Sequence, residues 1–409
     1  MEIFDIVIAG GGPAGMSAAA ELSKDFKVLV IEKKKPGTTQ STWYSYADRA
    51  KKYELEDAVA VRTNYIKFTA PTTEHFMKDN CVIFDHNKVL EIWMERAKSK
   101  GAVIRQEAFV DYEKNENGVK VNTNLGAYQA DLLIDSMGIN SPIVQKNKLI
   151  KRKDAWVIYG AKMTGVEFEN PFQLEYLPLN DEENTYIGIH PHSETETNIY
   201  AFKGQKNTIG NPDELKEKFD KVIAEIQPNA KRLQTLRGTI VSGTLKKYAL
   251  DNVIFFGSSG MLNPDGCGMG FNQILMKHQI FAQGIKEVMN TKALDQKSLQ
   301  KVANSLKDQE TINFQKIIGA FSLYFIRSAG KWDGGVKWLN AMGEDSKYWM
   351  RNEMTMDWIK SANLRLNRVI PIKETFKMIP FNDFFFIIGQ YVRFKIKSIK
   401  SGPPKKRAS

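Results

Sequence analysis

The sequence predicts an α/β protein in three regions: a parallel sheet wrapped by helices at the amino end, a sheet-rich middle and a helical carboxyl third. Three observations carry this. An apolar strand runs into a glycine turn and an alanine-rich helix over residues 2–23, strand-like runs crowd residues 155–203, and the pattern beyond Asp295 is helical. With 409 residues the chain exceeds one hydrophobic core, so more than one structural unit is expected.

Glu2–Ala9 alternates and then turns wholly apolar, as a buried parallel strand does. Gly10–Gly15 forms the turn, Met16–Ser23 the helix, and Lys27–Ile31 the second strand, ending at Glu32. Asn87–Lys100 reads as a helix closed by Gly101, Ala102–Arg105 as a strand, and Asp131–Asp135 as a further apolar strand before Ser136-Met137-Gly138. Short strands are expected at Ala155–Lys162, Phe172–Pro178, Thr185–Ile189 and Asn198–Lys203, then an amphipathic helix at Pro212–Gln227. Asn252–Phe256 returns to a buried strand, Gly257–Gly270 is a glycine-rich loop, and Phe271–Val288 a helix. Phe314–Ala329 and Phe376–Ile399 are expected to be aromatic-rich helices.

Composition narrows the setting. The 42% hydrophobic content fits a globular protein, and two cysteines, Cys81 and Cys267, offer no disulfide framework, which suits a reducing compartment. No apolar run approaches the length of a membrane span and residues 1–9 show no leader pattern, so the expected location is cytoplasmic. Net charge is +11, but residues 369–409 hold nine Lys/Arg against two acidic residues. The basic signal belongs to the tail, which argues against a nucleic-acid partner for the body. Arg393, Lys395 and Lys397 beside Phe384–Ile388 form an apolar face next to a basic one, a pattern suited to peripheral docking on the inner face of a membrane.

The turn satisfies G-x-G-x-x-G. Gly10 permits the tight bend, Gly12 lets backbone approach a pyrophosphate, and Gly15 allows close helix–strand packing, with Pro13 and Ala14 between them in the turn as further cofactor contacts. Glu32, 17 residues beyond Gly15 and followed by Lys33, is placed to accept from the ribose hydroxyls of a dinucleotide. This predicts a Rossmann-type domain.

Gly10–Glu32, Asp131–Ser141 and Asn252–Gly270 together make the sequence similar to the flavoprotein group that includes p-hydroxybenzoate hydroxylase, geranylgeranyl reductases and lycopene cyclases. The resemblance implies a Rossmann-type FAD-binding domain (1–150 and 241–290), an antiparallel β-sheet substrate domain (151–240) and a helical C-terminal region (291–409) with the basic tail. It implies that Gly138 passes close to the adenosine half of FAD, and that Ser258, Asn263, Pro264, Gly268, Met269 and Gly270 line the ribitol and flavin. Ser258 stands where the group carries an aspartate, and Ser258 and Ser259 are expected to replace its contact.

Gly260–Pro264, Pro36-Gly37, Trp43 and Tyr53–Val59 are closer to the reductase and cyclase branches. The halogenase signature W-x-W-x-I-P is absent from Asp154–Lys162, and the cyclases' paired glutamates are not evident. Tyr186–His192 occupies the place of the reductases' Y-x-W-x-F-P segment with Gly188 replacing an aromatic, and Gln40-Ser41-Thr42 stands in place of their Cys-Gly pair. The resemblance therefore implies reduction of C=C bonds in an isoprenoid or lipid chain. Flavin-dependent monooxygenation and non-redox cyclisation are the alternatives. Candidate proton donors are Cys267 in the flavin loop and His190 and His192, which flank Pro191 and on an extended strand point the same way. No metal site is expected. No second G-x-G-x-x-G follows a strand, so electrons are expected from transiently docked NAD(P)H or a reduced ferredoxin.

Overall fold

A computed structural model describes residues 1–39, 43–167, 172–179, 185–206, 208, 210–265, 267–307, 319, 324–371, 373 and 389. The expectations at Gln40-Ser41-Thr42, at Gly266 and, apart from Gly389, at 376–399 lie outside these residues, as do residues 314–318 and 320–323 of the helix expected at Phe314–Ala329.

The chain opens with β1 (Glu2–Ala9), α1 (Pro13–Leu22) and β2 (Val28–Ile31), a parallel pair joined by a helix. It crosses to a second layer as β3 (Tyr44–Tyr46), α2 (Ala47–Lys52) and the long hairpin β4 (Val59–Thr69)–β5 (Glu74–Phe84). Helix α3 (His86–Lys98) leads back to the first layer and to β6 (Val103–Arg105). The hairpin β7 (Phe109–Asn115)–β8 (Gly118–Thr123), β9 (Ala127–Asp135) and α4 (Pro142–Lys146) follow there. The second layer resumes with β10 (Ile150–Thr164), β11 (Leu174–Pro178), β12 (Thr185–Pro191), β13 (Glu196–Lys206), α5 (Lys216–Ile226) and β14 (Lys231–Leu245). Strands β15 (Ala249–Leu250) and β16 (Val253–Phe255) then close the first layer. The remaining helices are α6 (Gly270–Asn290), α7 (Gln296–Ser305), α8 (Ala329–Met342), α9 (Lys347–Arg351) and α10 (Met356–Val369).

In the first sheet the order β15-β16-β9-β1-β2-β6 puts five parallel strands, β16 to β6, side by side, with β7 and β8 extending from β9. These strands bury both faces, which explains their unbroken apolar runs. Small residues let α1 sit close: Ala18, Ala19 and Ala20 are buried in a core shared with α3 and α6. The second sheet is ordered β14-β10-β13-β12-β11-β4-β5-β3 and is antiparallel except where β11 runs alongside β4. One face packs on α5 through Ile187, Ile189 and Ile199, and the other faces α8, α9 and α10.

Two expectations are corrected here. The first region does not run unbroken to residue 150, because β3, β4 and β5 belong to the second sheet and the substrate layer draws three of its eight strands from 44–84. The long strand β14 carries that layer on to Leu245 and pairs with β10 along its length. The expected helix through Ala329 is broken, since Ser328 is an N-cap that accepts from the Lys331 N–H and starts α8.

Candidate functional site

Three segments far apart in sequence meet at the carboxyl ends of β1, β9 and β16. Ala9 pairs with Asp135, which also pairs with Phe255, so the chain leaves the sheet there as Gly10, Ser136 and Phe256-Gly257 side by side. The Ser136 N–H donates to the Ala9 carbonyl, and its hydroxyl donates to the Gly10 carbonyl at 2.7 Å. Gly257, at φ +75°, lies against α1, where a Cβ would come within 2.6 Å of the Ala14 Cβ. Outside the strand ends of an open parallel sheet is where such folds bind ligands.

The glycine turn has the geometry of a dinucleotide cradle. Gly10 adopts φ +102°, and a Cβ there would lie 2.5 Å from the Ser136 carbonyl oxygen. A Cβ on Gly15 would lie 1.9 Å from the Gly10 carbonyl oxygen, so this glycine is fixed by packing. At Gly12 a Cβ would meet nothing, which leaves room beside the start of α1. Gly12 is the N-cap of α1 with no side-chain cap, Pro13 follows it, and the first turn holds no acid. The helix end thus presents uncapped N–H groups and its positive dipole end, the arrangement that binds a pyrophosphate.

Glu32 follows β2 directly, beside this turn, and accepts from the Gly11 N–H at 2.7 Å and the Lys34 N–H at 2.9 Å. Those bonds fix the carboxylate at the cradle while Lys33 points into solvent. Gly138 follows β9 at φ +80° with open space where a Cβ would be. Asp135 is fully buried, accepts from Ser141 and the Met137 N–H, and is pushed up to about 6 by burial. It braces the loop below the cradle.

The loop after β16 enters a cavity of about 400 Å³. Ser258, half-buried, lines it. Ser259 does not: its hydroxyl donates to the Asp135 and Phe256 carbonyls, so the contact expected of both serines falls to Ser258 alone. Asn263 ties the loop to the second sheet by donating to the Val241 carbonyl, and Gly270 leaves space for its side chain. Pro264 is buried and lies outside the cavity lining, whereas Gly268 (φ +63°), Met269 and Gly270 all border it. Met269 is the N-cap of α6 with no side-chain cap and no acid in the first turn, so the cavity floor is a second uncapped helix end.

The opposite wall is aromatic: Trp156, Tyr176, Tyr186 and Phe202 from the second sheet, with Trp332 and Trp349 from the carboxyl helices. Tyr186 stacks on Phe202 at 4.8 Å and on Trp332 at 5.8 Å between ring centroids. Among the described residues, no carboxylate lines this cavity. Cys267 does, and burial pushes its thiol up to about 12, leaving it a neutral thiol. His190 also lines it and burial pushes its imidazole down to about 3. The two histidines are not brought together at the cavity. The chain bends out of β12 after Pro191, and His192 packs on His86, 6.3 Å between ring centroids, away from the cavity lining. The contributions of the β4–β5 hairpin and of the tryptophans at 332 and 349 were missed in the sequence, because their seats on the cavity are set by long-range packing.

Residues 7–155 match the family described as pyridine nucleotide-disulphide oxidoreductase. No curated protein matches the sequence. A geranylgeranyl bacteriochlorophyll reductase-like protein from Thermoplasma acidophilum is similar in structure at a TM-score of 0.72 and 17% identity, over 93% of this chain and 100% of that one. The flavin-dependent brominase Bmp2 is similar at 0.69 and 16% identity, over 91% and 100%. The halogenase PltM, in complex with phloroglucinol and FAD, is similar at 0.61 and 12% identity, over 89% and 85%. The class these likenesses define is one of fold: the chain has the fold shared by this reductase-like protein and these flavin-dependent halogenating enzymes.

Proposed function

We propose that this chain reduces C=C bonds in a hydrophobic substrate, an isoprenoid or lipid chain. The observation that carries the reading is the aromatic cavity laid against the loop 257–270 and the start of α6. FAD is the cofactor in this reading; bound and reduced by the electron donor, it would supply a hydride to the substrate carbon. The uncapped end of α1 and the open space at Gly12 hold the pyrophosphate, Glu32 the ribose, and Ser258 and Asn263 the ribitol. The start of α6, at Met269-Gly270, favours negative charge at the floor of the cavity.

The aromatic wall excludes water and orients the chain of the substrate. Proton donors at the cavity are neutral: the Cys267 thiol, the His190 imidazole and the Tyr176 hydroxyl, which donates to Tyr44 at 3.5 Å. A cavity whose described lining holds no carboxylate suits proton delivery after hydride transfer better than the strong acid that would start a cyclisation. NAD(P)H docking transiently, or a reduced ferredoxin, supplies the electrons. The basic tail beyond Arg393 holds the enzyme at an anionic membrane surface where such substrates reside.

The test is anaerobic incubation of the reduced holoenzyme with polyunsaturated isoprenoids, followed by product mass. A gain of two hydrogens supports the proposal. An unchanged mass points to cyclisation, and a gain of one oxygen, in air only, to monooxygenation.

A further inference from the structure

On β12 the period-2 alternation sends Ile187 and Ile189 into the core under α5, and Tyr186, Gly188 and His190 toward the other face, where Tyr186 and His190 line the cavity. His190 is ringed by Tyr44, Tyr176 and Tyr200 at 5.8, 5.7 and 5.3 Å between centroids. A phenylalanine would complete this cage with no polar atom to bury. The imidazole instead brings two polar atoms into a site where the residue is 6% exposed, and neither nitrogen has a protein partner. Buried polar atoms in folded proteins are as a rule hydrogen-bonded, and His190 is the residue here with two such atoms unpartnered among the described residues, so an orphan pair at a cavity wall marks a place where a ligand supplies the partner.

The rings around it are apolar and close: a Cβ on Gly188 would lie 2.7 Å from Phe202, 3.1 Å from Tyr176 and 3.2 Å from His190 Nε2, so the glycine lets these rings pack round the imidazole without giving it a polar partner. Several polar groups of the lining already have partners: the Asn263 amide donates to the Val241 carbonyl, Asn272 pairs with Arg49 and Ser45, and Arg237 pairs with Asp213. A neutral imidazole has one nitrogen that donates and one that accepts. A hydroxyl can pair with either one in either tautomer, a carbonyl with only the donor, and a carboxylate would find no compensating charge there.

We infer that the substrate is a hydroxyl-bearing hydrophobic molecule whose oxygen is held by His190, an inference that rests on the apolar-substrate reading above. His190 is then a specificity residue that fixes where along the chain the reacting bond comes to rest.

The test compares farnesol with the hydrocarbon that has hydrogen in place of its hydroxyl. Binding to the holoprotein is followed by quenching of the cavity tryptophans. Wild type is expected to bind the alcohol about tenfold more tightly, the worth of one net hydrogen bond. His190→Phe should remove that difference by weakening the alcohol alone, and His190→Gln, which keeps a donor and an acceptor, should retain most of it. Equal affinities in wild type, or equal losses for both ligands in His190→Phe, overturn the assignment. If wild type binds the hydrocarbon but gains nothing from the hydroxyl, only the role of His190 falls. If it binds neither, the apolar-substrate reading falls as well.

Discussion

A Cβ on Gly15 would sit 1.9 Å from a backbone oxygen, whereas one on Gly12 would meet nothing within 4 Å. The same motif therefore holds one glycine for the fold and one for the ligand. Gly15→Ala is expected to destabilise the protein by about 1–3 kcal/mol, as overpacking does, and urea unfolding of the flavin-free protein would show it. Burial pushes both His86 and His190 down to about 3 from an ordinary 6.5. His86 Nε2 accepts from the Trp43 N–H, which fits an unprotonated nitrogen. The unfolded chain takes up these protons near pH 6.5 and the folded one only near 3, so stability is lost as pH falls through that window. Each histidine contributes up to about 1.4 kcal/mol per pH unit there. His190→Phe should flatten the fall in unfolding free energy on acidification, and an unchanged slope would show that His190 is not held neutral.

Elements differed in how plainly they could be read. The strand–turn–helix at 2–22 was legible because burial on both faces leaves an apolar run and because the bend and the close packing demand glycine at 10 and 15. The hairpin β4–β5 was not. In β4 the buried positions run Val61, Thr63, then Ile66, Phe68, and the pairing slips between Thr63 and Tyr65. A bulge thus reverses the alternation midway and hides the period. Strand β14 was also hidden, because Lys231–Gln234 lies exposed at the sheet edge and carries no apolar face. Its inner half nonetheless anchors the flavin loop through Val241. Asn263→Ala removes that tether, costs about 1 kcal/mol in unfolding free energy, and should weaken FAD binding more than it lowers stability. Calorimetric titration of FAD into the variant checks this.

At the scale of the molecule, two sheets and the carboxyl helices enclose one cavity, with the dinucleotide cradle on one side and an aromatic wall on the other. The glycine turn was legible in the sequence, since Gly10 and Gly15 each answer a local demand of bend or packing. The wall was beyond the reach of the sequence, because Trp156, Trp332 and Trp349 converge only when α8 and α9 fold across the second sheet. Among the described residues no helix is long and apolar enough to cross a membrane. The account turns on FAD seated at Gly12 with the flavin loop facing that wall. The direct measurement is titration of the flavin-free protein with FAD, followed by the visible flavin spectrum, on wild type and Gly12→Val. The account predicts one FAD per chain for wild type, and for the variant no binding with an unchanged unfolding midpoint. A wild type that takes up no FAD, or a Gly12→Val protein that binds it equally well, would contradict it.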